Sequence, residues 1–203
     1  DLNGNVITLG PAAVLSESAG NTVTGTNGFI TTTRTLTAPN GTTDIAGLGV
    51  MIGSAVDLGS TVLTRGHAVQ TGTGSTGIRR YFDITPTTNT GLNATLVYKY
   101  DESELGVVPE ASLLLFKSTD NGATWSSGGG TVNTSTNSIA LSGVNDLSRW
   151  TAAGTGTVTV CFPILAGWNL VSLPVRDPIP DDSVKHLIVN TVNPYAFAFV
   201  GGY

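Results

Sequence analysis

Asp101, Glu102 and Glu104 form the densest cluster of carboxylates in this chain. A pair of carboxylates can hydrolyse a glycoside when their separation is right and one of them has a raised pKa. Carboxylate oxygens are also the ligands that Ca²⁺ prefers. The cluster follows the predicted strand Ala94–Tyr100, and an acidic group at a strand end is most often a solvated turn. We therefore predict a solvent-exposed turn, with calcium binding as the first alternative and catalysis as the last.

The segment Ser118–Trp125 fits the pattern S-x-D-x-G-x-T-W. It resembles the Asp-box, a β-hairpin motif of sialidase-type propellers and of many unrelated secreted proteins. In such a hairpin Asp120 accepts hydrogen bonds from backbone amides, Gly122 supplies a positive φ and Trp125 packs beneath the turn. A sialidase would need several copies and an arginine cluster, whereas this chain has one copy. We therefore predict a structural role for Ser118, Asp120, Gly122 and Trp125.

The remaining residue types suited to catalysis do not form a recognisable constellation. The two histidines, His67 and His186, have no ligand-like spacing, and no G-x-S-x-G elbow is present. The single cysteine, Cys161, lies in the apolar segment Val158–Phe162 and is predicted to be a buried, inert thiol. We therefore predict that the protein is not an enzyme and needs no cofactor.

The composition limits the partners of this chain. A net charge of −5 with scattered basic residues argues against nucleic acid, which requires clustered Lys and Arg. No apolar run approaches the roughly 18–20 residues of a membrane-spanning helix, so we predict no membrane insertion. Only 11% of the residues are charged, and Thr and Val alternate in many segments. This pattern is typical of an extracellular β-protein.

Alternating segments that are separated by Gly, Pro and Asn turns predict an all-β fold. Three of them, Ile78–Thr85, Ala94–Tyr100 and Ser112–Ser118, follow each other closely and predict an antiparallel β-meander. Together with four further segments they predict an antiparallel β-sandwich, either Ig-like or jelly-roll-like. The four further segments are Gly49–Ile52, Thr61–Val69, Ser138–Leu141 and Arg149–Ala153.

We predict three regions along the chain. Residues 1–36 form an N-terminal β extension of short pieces, which pairs with the next domain or with a neighbouring chain. Residues 37–155 form the β-sandwich. Residues 156–203 form a C-terminal β segment with a short helix, either a partial second domain or an assembly strand. The predicted pieces of the extension are Val6–Leu9, Ala13–Leu15, Thr22–Thr24 and Phe29–Leu36.

Several stretches together resemble a known kind of module. Residues 5–9 and 25–33, the run Ile78–Pro86 and the Asp-box resemble a β-sandwich module of large secreted and surface proteins that are cargo of the type IX secretion system. The stretch Gly167–Pro174 resembles the opening of the β-module that follows it in such proteins. The resemblance implies a spacer, adhesive unit or stalk on the surface of a Gram-negative bacterium, and it transfers no catalytic residue.

The leading functional prediction is an extracellular structural protein, a surface, adhesive or filament-forming subunit. Its partners would be copies of itself or adjacent domains of the same protein. Apolar strands near both ends could add to a neighbour's sheet. The candidate assembly residues are Leu2, Val6, Ile7, Leu9, Tyr195, Phe197 and Phe199.

The alternative is a carbohydrate-binding accessory module of a secreted multidomain protein. Exposed aromatic side chains would then form a platform for a glycan. The candidates for this platform are Tyr81, Tyr98, Tyr100, Trp125 and Trp150.

Overall fold

The computed structural model describes residues 1–155. These residues form two β-sheets of seven and four strands, in the orders β1-β2-β4-β5-β11-β7-β8 and β3-β6-β10-β9. The predicted all-β sandwich is confirmed. The strands are β1 (Val6–Leu9), β2 (Phe29–Leu36), β3 (Val50–Gly53), β4 (Gly59–Gly66), β5 (Gly77–Pro86), β6 (Ala94–Lys99), β7 (Leu113–Ser118), β8 (Ser126–Gly129), β9 (Thr131–Asn133), β10 (Ser138–Val144) and β11 (Arg149–Gly154).

The core lies between the two sheets and is built from the inward positions of the alternating strands. Phe82 of β5 and Tyr98 of β6 meet across the two sheets with their ring centroids 5.0 Å apart, in an edge-to-face arrangement. The Tyr98 hydroxyl donates to the Arg80 carbonyl at 2.8 Å, so this buried ring leaves no polar atom unpaired. Each fully buried side chain of this size contributes about 1.5–3 kcal/mol.

The predicted β-meander is wrong. β5 and β7 both belong to the seven-stranded sheet but are separated by β11, and β6 belongs to the four-stranded sheet. The chain therefore changes sheet at each connection between these strands. Alternation identifies which face of a strand is buried, but it does not identify the neighbour to which the strand pairs.

The first 36 residues supply two strands to the larger sheet. β2 pairs antiparallel with β4 along its whole length, and β1 pairs parallel with β2. A parallel neighbour needs a crossover connection, and residues 10–28 provide it; we call them the crossover segment. The predicted strands Ala13–Leu15 and Thr22–Thr24 fall inside the crossover segment and are not strands, because they serve this connection.

Two strands were not predicted. β8 lies in the Gly- and Ser-rich stretch Ser126–Gly130, where the composition predicts a turn, and β9 is the three-residue segment that follows it. Both are short and form outer strands of their sheets. No helix among the described residues has the length and hydrophobicity needed to cross a bilayer.

Gly28 allows the N-terminal segment to approach β2 closely, which gives a test of this packing. Its φ is +88°, and an added Cβ would lie 2.3 Å from the Asn5 carbonyl oxygen. We expect Gly28→Ala to lower the free energy of unfolding by about 2–4 kcal/mol, from backbone strain and overpacking combined.

The matched control is Gly10→Ala, because no atom lies within 4 Å of its added Cβ. We expect this control to stay within about 1 kcal/mol of the parent chain. Urea denaturation of both variants measures the difference. Equal midpoints for the two variants would contradict the close approach of Asn5 to Gly28.

Candidate functional site

β1 is an outer strand, and only every second residue of it directs its backbone N–H and C=O groups toward β2. The Phe29 N–H donates to the Asn5 carbonyl at 3.3 Å, and the parallel register pairs Val6 with Phe29. In a parallel ladder this places the backbone groups of Asn5, Ile7 and Leu9 toward β2. The N–H and C=O groups of Val6 and Thr8 therefore point away from the sheet, and within residues 1–155 no strand pairs with them.

Three of the four side chains of β1 are apolar, and all four are at least partly accessible. Val6 is 50% exposed and Ile7 is 38% exposed. The strand contains no charged residue, no proline and no bulge, which are the usual devices that protect a sheet edge from pairing with another chain. Leu2, in contrast, is buried and its N–H donates to the Thr24 carbonyl at 2.9 Å, so it anchors the segment and does not extend the edge.

The other outer strands of the described residues are better protected. β8 contains two glycines and pairs with β7 through a register shift. β9 is only three residues long. The last residue of β3, Gly53, is paired with Asn40 of the preceding chain segment through an isolated bridge. β1 is therefore the sheet edge among residues 1–155 that is most open to a further strand.

The crossover segment is held to the sandwich by a buried ion pair. Glu17 accepts from both terminal nitrogens of Arg65, at 2.5 and 2.8 Å, and from the Val23 N–H at 2.7 Å. Arg65 lies at an inward position of β4 and is completely buried. Its Nη1 also donates to the Leu48 carbonyl at 3.2 Å. A bidentate arginine–carboxylate contact fixes both direction and distance, so it defines where the crossover segment lies.

A second buried ion pair lies beside the first. Arg80 of β5 donates through Nε to Glu104, with nitrogen–oxygen distances of 2.8 and 2.9 Å. Glu104 also accepts from the Asp101 N–H at 2.9 Å, and Asp101 accepts from the Ser103 N–H, which together form a capping box. The other Asp101 oxygen accepts from the Gly20 N–H at 2.9 Å. This contact connects the helical turn Glu102–Glu104 to the crossover segment.

The acidic cluster is therefore not the solvated turn that we predicted. Asp101 and Glu104 are buried and accept hydrogen bonds from the protein, whereas Glu102 is exposed. The prediction failed because Arg80, distant in sequence, supplies a counter-charge to Glu104. Within residues 1–155 no group of three or more metal-ligating side chains converges.

These contacts lower the pKa of two carboxyl groups, those of Glu17 and Asp101. Burial raises the pKa of Glu17, but the hydrogen bonds from Arg65 and Val23 outweigh it and the pKa lies below its ordinary value. Burial likewise raises the pKa of Asp101, and the hydrogen bonds from Ser103 and Gly20 bring the pKa below its ordinary value. Both groups therefore hold the crossover segment as carboxylates.

The Ser118–Trp125 hairpin is closed by its own side chains. The Ser118 Oγ accepts from the Gly122 N–H at 2.7 Å and donates to Asp120 at 2.7 Å. Asp120 accepts from the N–H and the hydroxyl of Thr124, at 2.8 and 2.6 Å. The Thr124 and Ser118 hydrogen bonds lower the pKa of Asp120 to about 2. Gly122 has a φ of +92°, and the Trp125 indole N–H donates to its carbonyl at 3.2 Å.

Arg149 ties this hairpin to the larger sheet. Its guanidinium makes a bidentate contact with Asp83 at 2.6 and 2.7 Å and donates to the Asn121 carbonyl at 2.6 Å. It also stacks 4.7 Å from the Tyr81 ring centroid. The groups around the hairpin thus satisfy one another, and the arrangement acts as a structural clasp.

The proposed aromatic platform is mostly inside the protein. Tyr98, Tyr100 and Trp150 are buried, whereas Tyr81 and Trp125 are half-buried. The alternation that places Tyr98 and Tyr100 on one face directs that face toward the core. Five predicted residues lie outside the described part of the chain: Tyr195, Phe197, Phe199, Cys161 and His186.

Arg65 and Arg80, which organise this end of the sandwich, were not singled out from the sequence. The available signal was their position, because each falls on the inward phase of a strand whose alternate residues are apolar. A charged residue at an inward position requires a buried partner. The partners, Glu17 and Glu104, are distant in sequence from these arginines, so no local pattern pairs them.

Comparison with protein-family models, with curated proteins and with solved structures gave no match for this chain.

The lowered pKa values predict how acid weakens the protein. A group whose pKa is lower in the folded state stabilises it fully above the unfolded value, and this stabilisation is lost as the pH falls through the folded value. We expect the urea concentration at the unfolding midpoint to decrease once the pH is lowered below about 4.5, which is the ordinary pKa of Glu17. The double variant Glu17→Gln with Asp101→Asn should be less stable than the parent chain at neutral pH. It should also lose less stability on acidification.

Glu102→Gln is the matched control for this experiment, since Glu102 is exposed beside the same helical turn. Its acid profile should follow that of the parent chain. Asp120, whose pKa is also lowered, is unchanged in every variant and therefore adds the same acid dependence to each. An unchanged acid slope in the double variant would contradict the assignment of Glu17 and Asp101.

The clasp is tested by Ser118→Ala. Ser118 is 1% exposed, and its removal leaves the Gly122 N–H without its hydrogen bond. We expect the free energy of unfolding to fall by about 1–3 kcal/mol. Thr119→Ala, at the exposed neighbouring position, should change it by less than about 0.5 kcal/mol. Chemical denaturation measures both, and equal values would refute the clasp.

Proposed function

We propose that this protein is an extracellular structural subunit, a surface, adhesive or filament-forming β-sandwich, which associates by adding a strand from a neighbour to β1. The observation that carries the proposal is the edge at β1, which no other strand of residues 1–155 covers. An accessible, uncharged edge strand with unpaired backbone groups is a template for another strand. Natural β-sandwiches normally protect such an edge from pairing. An unprotected edge therefore favours a role in assembly.

The rest of the described structure supports a structural role. Two buried ion pairs and the Arg149 clasp fix the ends of the sandwich through charge-assisted hydrogen bonds. The buried polar groups of residues 1–155 are mostly used for these internal contacts, and no nucleophile with an adjacent base is formed. The low charge and the threonine-rich strands fit a location outside the cell. The resemblance to modules of type IX secretion cargo extends this proposal to the surface of a Gram-negative bacterium.

The partner that we propose is a second copy of this chain, and the donated strand is the segment Tyr195–Val200, which lies outside the described residues. This segment alternates large and small apolar residues and has no charge. In β-strand addition the main chain supplies affinity, and alternate side chains supply specificity. Val6 and Ile7 would be covered in the assembled state.

Thr8→Pro tests the edge directly. It removes an N–H that points away from β2, so the β1–β2 ladder keeps its hydrogen bonds while the outer edge loses a donor. We expect the parent chain to self-associate with increasing concentration, and Thr8→Pro to remain a folded monomer. Analytical ultracentrifugation and negative-stain electron microscopy measure the difference.

Thr8→Val is the matched control, since it keeps the backbone N–H and nearly the same side-chain shape. It should associate like the parent chain. If Thr8→Pro does not fold, Val6→Lys provides a second block of the edge by charge. A parent chain that stays monomeric at high concentration would overturn the proposal, and association that survives Thr8→Pro and Val6→Lys would exclude β1 as the contact.

A further inference from the structure

Four asparagine–glycine pairs occur in this chain: Asn3-Gly4, Asn27-Gly28, Asn40-Gly41 and Asn121-Gly122. The asparagine of each pair is exposed. Asparagine before glycine rearranges spontaneously more readily than asparagine before a larger residue, because glycine has no side chain to hinder the attacking nitrogen. The four pairs share this chemistry, so their hydrogen bonds in the folded chain decide which of them reacts first.

The reaction needs only water as a second reactant. The backbone nitrogen of glycine attacks the side-chain carbonyl carbon of asparagine, and the new C–N bond closes a succinimide ring. The side-chain amide takes up the proton that the glycine nitrogen loses and leaves as ammonia. Water then opens the ring at either carbonyl, which gives aspartate or isoaspartate with an added negative charge. A glycine N–H that donates a hydrogen bond must give it up before it can react.

In two of the pairs the glycine N–H is occupied. The Gly122 N–H donates to the buried Ser118 Oγ at 2.7 Å. The Gly4 N–H donates to the Asn27 main-chain carbonyl at 3.2 Å. Both nitrogens are therefore held by an acceptor and turned away from the asparagine that precedes them.

The third pair is held through its asparagine. Asn40 forms the isolated bridge with Gly53, which fixes its backbone. Its side-chain oxygen accepts from the N–H and from the hydroxyl of Thr42, at 3.1 and 2.9 Å. The side-chain carbonyl must break these contacts to rotate toward the nitrogen of Gly41, so this pair is also slowed.

Asn27-Gly28 has neither protection. The Gly28 N–H makes no hydrogen bond to the described residues, because the ladder with β1 begins one residue later, where the Phe29 N–H donates to the Asn5 carbonyl at 3.3 Å. The Asn27 side chain is exposed and likewise makes no hydrogen bond within residues 1–155. Both reacting groups are therefore free in the folded protein.

We propose that Asn27 is a site of spontaneous deamidation and that its conversion to isoaspartate loosens β1 from β2. Isoaspartate adds a methylene to the main chain before Gly28, a bond of about 1.5 Å. The backbone has no slack there, since a Cβ on Gly28 would lie 2.3 Å from the Asn5 carbonyl oxygen and the Asn27 carbonyl holds the Gly4 N–H. The lengthened chain cannot keep both contacts. This chemistry does not depend on the association proposed for β1.

The site is tested by incubating the full chain in mildly alkaline buffer and following each pair by peptide mapping with mass spectrometry. In the folded chain we expect Asn27 to deamidate roughly 2- to 10-fold faster than each of the other three, the factor that corresponds to one hydrogen bond. The same chain unfolded in guanidinium chloride is the control, and there the four rates should converge. Equal rates at the four pairs in the folded chain would overturn the proposal.

Ser118→Ala tests the role of the hydrogen bond at a second pair. It removes the acceptor of the Gly122 N–H, so Asn121 should deamidate roughly 2- to 10-fold faster than in the parent chain. Asn40, in the same molecule, should keep its rate and thereby show that the variant remains folded. An unchanged rate at Asn121 would contradict the protection by hydrogen bonding on which the choice of Asn27 rests.

The effect on β1 is measured by hydrogen exchange of Val6–Leu9 before and after incubation. We expect the isoaspartate form to exchange faster over this strand while β5 and β11 keep their protection. Asn27→Gln is the matched control, because its longer side chain does not close the five-membered ring, and its exchange should not change on incubation. Unchanged exchange over Val6–Leu9 in the isoaspartate form would overturn the proposed loosening.

Discussion

Two arginine side chains lie inside one end of the sandwich, and their charges must be compensated there. Arg65 and Arg80 occupy inward positions on adjacent strands, where removing a charge from water costs several kcal/mol unless a partner is in place. Glu17 and Glu104 are those partners, and neither is a neighbour in sequence. The positions of the crossover segment and of the helical turn at residues 102–104 both follow from this requirement.

The same requirement explains why β1 is where it is. The crossover segment leaves β1, passes over the buried arginines and returns as β2, so the ion pair between Glu17 and Arg65 determines the path that makes β1 parallel to β2. The contact of Gly20 with Asp101 fixes the middle of this path. An edge strand with accessible backbone is therefore held by the contacts of its connection as well as by its own pairing with β2.

The sequence predicted the strands better than their arrangement. β1 and β2 were predicted with the bounds that the structure has, because alternation over Val6–Leu9 and Phe29–Leu36 is clear. β8 was missed because glycine and serine carry no alternation, and β9 was missed because three residues are too few to show it. The sheet order was not predictable, since each strand of a sandwich presents one apolar face whichever sheet it joins.

The candidate site was harder to predict than the fold. Asp101 and Glu104 were placed in solvent because acidic residues at a strand end are usually exposed, and the deciding partner, Arg80, belongs to another strand. The pocket of about 180 Å³ that His67 and Glu104 line together with residues of the crossover segment has no local pattern at all. It arises where the crossover segment meets the end of the sandwich, and only the three-dimensional path of the chain brings those residues together.

The order of the larger sheet also constrains when the domain can fold. β11 is the last strand of the described residues, yet it lies between β5 and β7 and pairs with both. Until β11 is available, β1-β2-β4-β5 and β7-β8 are two separate parts with open edges. A chain that emerges from its N-terminus during synthesis or export therefore cannot complete this sheet before residue 154. Within the described residues, the larger sheet therefore closes only when β11 inserts between β5 and β7.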